Sequence, residues 1–196
     1  RFDGERVILE EIHRFPNRIL TVSGRKCWDW KNLSGNVISR LRELKAETGS
    51  DPLSVSCDSW AQDFGLVGPD GKLLAPIVSY RDEHLAEMPE KIGKILAAAG
   101  YHNTSVSKIS TLSQLRYLSE TAPALLEKSS ALLNMADLLH FELCGVVSQN
   151  WSFSTISQIF DSGRDTWNSE LLKHLGLPDH FLRKPCAEKI LGDRKS

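Results

Sequence analysis

Between Ser54 and Gly71 the chain reads SVSCDSWAQDFGLVGPDG, and Asp58, Trp60, Gln62 and Asp63 crowd one short stretch between two apolar runs. A turn with only a structural task uses Gly, Asn or Asp, not an indole beside an amide. Trp60 offers an apolar face with a single N–H donor, and the acids and the amide add hydrogen-bonding groups. That combination suits a polyhydroxylated ligand such as a sugar. It also suits a surface turn anchored by one Trp, and the residues of this stretch alone leave both readings open.

Other chemistries find less support. His13, His84, His102, His140, His174 and His180 never fall at a metal-ligand spacing such as H-E-x-x-H. His140 lies in an apolar helical stretch and reads as a hydrogen-bonded core histidine. There is no G-x-S-x-G elbow, no G-x-x-x-x-G-K-[ST] loop and no G-x-G-x-x-G loop. Cys27, Cys57, Cys144 and Cys186 are scattered, with no C-x-x-C pair. They read as small buried hydrophobes in a reducing cytoplasm rather than as a zinc site or a disulfide framework. No catalytic, metal-binding or cofactor-binding residue is therefore assigned.

The elements that must position the turn follow from periodicity. Arg6–Phe15 alternates imperfectly and reads as a strand, with Asp3-Gly4 before it as a hairpin turn from a preceding strand. Ile19–Val22 reads as another strand. Asn32–Thr48 reads as a helix, because Leu33, Val37, Leu41 and Leu44 recur on one face, with Gly49 as its stop. Leu53–Cys57 reads as a buried strand and Phe64–Val67 as its return, closed by Pro69-Asp70-Gly71. Ile77–Tyr80 is a further short strand. Helices are expected at Lys91–Ala99, Thr111–Glu120, Ala124–Lys128 after Pro123, Asn134–Cys144 and Ser169–Leu175, with Ser110 or Thr111 as an N-cap. Ser148–Ser157 is Ser-rich, but Trp151, Phe153 and Ile156 imply that it packs. Gly192–Ser196 reads as a frayed end or a linker. Strands early and helices late predict an α/β domain with a mainly helical second half.

Composition sets the outer bounds. The chain has 196 residues, 41% hydrophobic and 25% charged, which allows one domain with a real core over residues 1–196. Its net charge of −1 provides no basic field for nucleic acid or an anionic membrane. No apolar run approaches the roughly 20 residues of a membrane helix. The charged start shows no signal-peptide pattern, so a cytoplasmic location is expected.

Several blocks, in order, resemble the N-terminal half of the FGGY carbohydrate kinases, and within them the rhamnulokinase branch. They are Glu11–Asn17 (EIHRFPN), Trp28–Trp30 (WDW), Asp58–Gly65 (DSWAQDFG), Tyr80–Asp82 (YRD), Thr111–Leu115 (TLSQL), Asn134–His140 (NMADLLH) and Trp167 with Leu171-Leu172. The resemblance runs from Arg6 to about Gly192. It implies a ribonuclease-H-like, actin-like ATPase domain with a mixed sheet, truncated at both ends. It also implies a sugar in the cleft to a second, ATP-binding domain, and Mg²⁺-ATP as the phosphoryl donor. The phosphate-contacting turn is expected before Arg1, and the catalytic Asp and the ATP domain beyond Ser196. The chain alone is then expected to phosphorylate nothing.

The resemblance implies sugar contacts from the Ser59–Asp63 turn, that is from Trp60, Ala61, Gln62 and Asp63. Ala61 stands where rhamnulokinases usually have a Gly that lets backbone approach a ligand. Gln62 replaces a residue that is usually apolar. Both departures bear on which ketose is bound, L-rhamnulose or a related sugar. Arg81 either forks onto the sugar or pairs with Asp82 or Asp58 to hold its loop. Lys108 and Ile109 fall where the family places another sugar-facing loop, although the usual Pro-Phe-Asn is Lys-Ile-Ser here. Asp29 is expected to cap the first helix, Trp28 to pack, and Asp137 to be structural. The alternative is a non-catalytic sugar-binding or regulatory module with the same fold. A homodimer is expected if the face meant for the second domain, or a sheet edge, is left open.

Overall fold

Caps decide where the helices of this protein begin and end. The computed structural model describes residues 4–102 and 105–187. Helix α1 spans Trp30–Thr48, and the Asp29 carboxylate accepts the Asn32 N–H at 3.2 Å at its start. Gly49, at φ 69°, donates back to Lys45 O at 2.9 Å and ends it. Helix α2 spans Met88–Ala98 and α3 spans Thr111–Thr121, the latter capped by the Ser110 hydroxyl on Ser113 N–H at 3.1 Å. Helix α4, Pro123–Lys128, starts on its proline, and α5, Met135–Cys144, stops at Gly145 with φ 73°. All match the expected helices to within a few residues. Two short helices, α6 at Trp151–Thr155 and α7 at Ser169–His174, are capped by Asn150 and Asn168.

The strands depart further from expectation. Strands β1, Ile19–Val22, and β2, Arg25–Trp28, form an antiparallel hairpin across Ser23 and Gly24, whose φ values of 49° and 78° suit a tight two-residue turn. The expected strand at Ile77–Tyr80 is only a short edge on β2, where Trp28 N donates to Ile77 O at 2.9 Å and Ser79 N to Lys26 O at 2.8 Å. Strand β3, Phe64–Val67, does not return on Leu53–Cys57. Its antiparallel partner is β4, Ala131–Asn134, with Phe64 opposite Asn134. Leu53–Cys57 is not a strand, and Leu53 and Val55 are exposed. Arg6–Phe15 likewise holds one bridge residue, Val7, and no ladder, with Val7, Leu9 and Ile12 exposed. A strand is a paired state, and neither segment has a ladder partner among the described residues. Asp3 of the expected opening turn and the tail from Gly192 lie outside those residues. A third ladder joins β5, Phe160–Asp161, to β6, Thr166–Trp167.

The β3–β4 ladder divides two cores, so every residue in it is buried. Phe64, Leu66 and Leu132 face one side and meet Ile92 and Leu96 of α2 and Leu112 and Leu115 of α3. Val67 and Leu133 face the other, with Trp28, Ile77, Met135 and Leu138. Gly65 sits where a side chain does not fit: a Cβ there would lie 2.6 Å from Leu73 Cδ2 and 2.9 Å from Leu138 Cδ2. Gly65→Ala is expected to lower stability by about 1 kcal/mol, the low end for overpacking because two leucine methyls can shift. Urea unfolding of the variant checks this. Trp151 and Ile156, expected to pack, are exposed; the buried residues of that stretch are Gln149, Ser154 and Ser157.

Candidate functional site

The Ser59–Asp63 turn is held from below by Asp63. Its side chain is 0% exposed, and its carboxylate accepts Trp28 Nε1–H at 2.6 Å, Gln114 Nε2–H at 2.8 Å and Trp60 Nε1–H at 3.0 Å. The backbone N–H of Tyr80 lies close enough to favour its charged form. Burial pushes this carboxyl above its ordinary range, and the donors from Trp28, Gln114, Tyr80 and Trp60 oppose that rise. Asp63 is therefore the internal anchor of the turn. It orients two indoles and does not itself face outward.

Gln62 is held from the side. Its φ of 79° lies in the left-handed region that favours glycine. Three hydrogen bonds from α3 keep it there. Thr111 N–H donates to Gln62 Oε1 at 3.2 Å, and Thr111 Oγ1 and Gln114 Nε2 donate to Gln62 O at 2.9 and 3.2 Å. The turn is thus stapled to the first turn of α3. Gln62 uses its side-chain carbonyl on the protein, and no hydrogen bond engages its Nε2 among the described residues.

Above this anchor, aromatic rings form a chain. Trp60, half-buried, tilts against Trp28 with centroids 4.5 Å apart, and Trp28 meets Tyr80 at 6.2 Å. Arg81 is exposed; its Nε donates to Tyr80 Oη at 3.2 Å and its guanidinium lies 5.4 Å from the Tyr80 ring. The expected Arg81 pairs with Asp58 and Asp82 do not form. Asp58 accepts Ser59 N–H at 2.8 Å. Asp82 takes Lys26 N–H at 2.7 Å, Arg25 Nε at 3.1 Å and His84 Nδ1 at 2.8 Å. Burial works against the Asp82 carboxylate, but those donors hold it below its usual range. Lys108 is exposed in the turn before the Ser110 cap, at the end of α3 that touches Gln62.

Of the residues singled out, Trp60 and Asp63 thus meet at Trp28, Arg81 joins the same aromatic chain through Tyr80, and Gln62 is tied to α3 beside Asp63. Ala61 lies half-buried in the same turn, and Lys108 flanks it. Gln114 and Thr111, which build the site, were not among them. Their signal is an amide beside the apolar Leu112 and Leu115, where only a hydrogen-bonded amide is stable. A half-open cavity of about 330 Å³ lies on the far side of Gln114, lined by Arg25, Phe64, Leu66, Tyr117 and Leu118 among others. None of the singled-out residues lines it. No group of three or more His, Cys, Asp or Glu able to hold a metal occurs among the described residues, and no helix there is long and apolar enough to cross a membrane.

No family model matches the chain. It is 31% identical to a rhamnulokinase from Halalkalibacterium halodurans over 98% of this chain and 42% of that one. It is 32% identical to a rhamnulokinase from Yersinia pestis, over 92% of this chain and 38% of the other. It is 29% identical to a rhamnulokinase from Mannheimia succiniciproducens, over 90% and 37%. The chain therefore spans about two fifths of the length of these relatives. Among solved structures, a xylulose kinase from Lactobacillus acidophilus superposes with TM-score 0.72 at 18% identity, covering 88% of this chain and 36% of that one. A glycerol kinase from Plasmodium falciparum gives 0.64 at 13%, covering 86% and 37%. These likenesses show the fold, which is the actin-like ATPase fold of the sugar kinases, a mixed α/β architecture. The resemblance to FGGY carbohydrate kinases holds in sequence and in fold.

Proposed function

We propose that these 196 residues are the sugar-recognising part, a single domain, of an ATP-dependent carbohydrate kinase acting on a ketose such as L-rhamnulose or a related sugar. One observation carries this reading. The likeness to rhamnulokinases leaves out at most about a tenth of the chain, so it runs through the very turn that Asp63 and α3 hold rigid. In this proposal Trp60 lays its indole on the apolar face of the sugar, and the Gln62 amide nitrogen and the Arg81 guanidinium meet its hydroxyls. Ala61 sets how closely backbone approaches, and Lys108 closes the rim from the loop before α3. Asp63 acts as a positioning residue. Pre-set groups of this kind spend little free energy on ordering when the sugar arrives. Mg²⁺-ATP, and the residues that handle it, are assigned to the remainder of a cytoplasmic kinase that is longer than this chain.

A coupled ADP-release assay on the whole protein, with Mg²⁺-ATP and a panel of ketoses and polyols including L-rhamnulose, tests the reading. Turnover on one sugar is expected, and Trp60→Ala should weaken its apparent affinity by about tenfold or more, equivalent to about 1.4 kcal/mol of lost contact. Absence of turnover, together with no sugar-dependent change in tryptophan fluorescence, would overturn it. A fluorescence change without turnover would point to the non-catalytic module.

A further inference from the structure

We propose that Cys57 and Cys144 form an oxidisable thiol pair that can tie the segment before the Trp60 turn to helix α5. The geometry begins with His140. Its Nε2 accepts the backbone N–H of Cys57 at 3.1 Å, so the imidazole stands directly on that residue. Burial holds His140 below its usual value, which favours the neutral ring that this bond requires. Cys144 follows His140 by four residues in α5 and so lies on the same helix face, one turn further on. Both thiols are free and belong to half-buried residues. Burial, and secondarily the neighbouring Cys144, push the Cys57 thiol up to about 11. The other two cysteines are placed differently. Cys27 is buried in β2, and Cys186 Sγ is 3.0 Å from the Ser148 hydroxyl.

The oxidant named is glutathione disulfide. In the proposed order Cys144 attacks first. Its thiolate displaces one glutathione thiolate and forms a mixed disulfide. Cys57 then loses its proton, its sulfur attacks the Cys144 sulfur, and the second glutathione leaves. Two protein thiols are oxidised, one glutathione disulfide is reduced, and each departing glutathione takes up a proton. The product cross-links a segment that has no ladder partner to a capped helix, immediately upstream of Trp60.

The test uses the chain as it stands. After incubation with glutathione disulfide and alkylation, free thiols should fall from four to two, and digestion should release a peptide bridging Cys57 and Cys144. Dithiothreitol should reverse both changes. Proteolysis between Asp51 and Asp58 should slow several-fold in the oxidised form. Cys144→Ser should abolish the bridge and leave Cys27 and Cys186 unmodified. Glutathione adducts without a bridge, a bridge to Cys27 or Cys186, or four thiols that remain free would each overturn the proposal. Mapping on the unaltered chain keeps the result independent of whether the serine variant folds.

Discussion

Asp63→Ala is expected to cost about 3–5 kcal/mol of folding stability, because it leaves several buried donors unpaired at once. Trp28 Nε1, Trp60 Nε1 and Gln114 Nε2 all end on this carboxylate, at 2.6, 3.0 and 2.8 Å. Each fully orphaned donor costs about 1–3 kcal/mol, but Trp60 is only half-buried and Gln114 Nε2 keeps Gln62 O at 3.2 Å, so the total stays below the sum of three. A domain with 5–15 kcal/mol of stability would lose a large part of it. Asp63→Asn keeps the shape but turns an NH₂ group toward donors, so it should fall between wild type and alanine. Urea unfolding gives the stability, and near-ultraviolet circular dichroism reports whether Trp28 and Trp60 stay fixed. A loss below about 1 kcal/mol for the alanine variant would mean that water replaces the carboxylate, and that Asp63 does not organise the turn.

Which parts of this molecule could be read in its residues depends on how far apart the interacting partners lie. Helix limits were legible because caps are local: Asp29, Ser110, Gly49 and Gly145 act within a few residues of where they stand. Strand partners were not. Phe64–Val67 is a buried strand as expected, yet it pairs with Ala131–Asn134 rather than with its neighbour in sequence. Ala131, Leu132 and Leu133, with Asn134 directly ahead of α5, merge with the helical pattern and give no separate signal for β4. Trp60, Gln62, Asp63 and Arg81 were singled out alike as sugar contacts, but their structural roles divide in a way no motif announces. Asp63 points inward, because two indoles and an amide in the core need an acceptor. Gln62 holds a positive φ only because α3 supplies three hydrogen bonds to it. Arg81 stacks on Tyr80 instead of pairing with an acid, since Asp82 is already taken by Arg25, Lys26 and His84.

Asp137→Asn is expected to raise stability at pH 8 by about 1–3 kcal/mol and to change it little at pH 4. Asp137 lies in the first turn of α5 and is 4% exposed. Its two oxygens both lie within reach of one donor, the Asn150 N–H, at 3.2 and 3.1 Å. One N–H, with help from the helix N-terminus worth about 0.3–1 kcal/mol, does not offset the loss of water around a carboxylate. Burial accordingly raises its pKa from 3.8 to about 6, with only the Asn150 N–H acting against it. The folded state then binds the proton more tightly than the unfolded chain does. The stabilising effect of protonation is fully present below the unfolded value near 3.8, is lost as pH rises toward about 6, and stays lost above that. Asparagine carries no charge to desolvate and can still present its carbonyl oxygen to Asn150 N–H. Burial raises Asp63 as well and tilts the wild-type curve the same way, so the informative quantity is the difference between wild type and variant. Urea unfolding at half-unit steps from pH 4 to pH 8 measures it. A difference that opens between pH 4 and 6 and then stays constant identifies Asp137 as the titrating group. A difference that is flat across the range would show that its carboxylate is solvated by means other than Asn150.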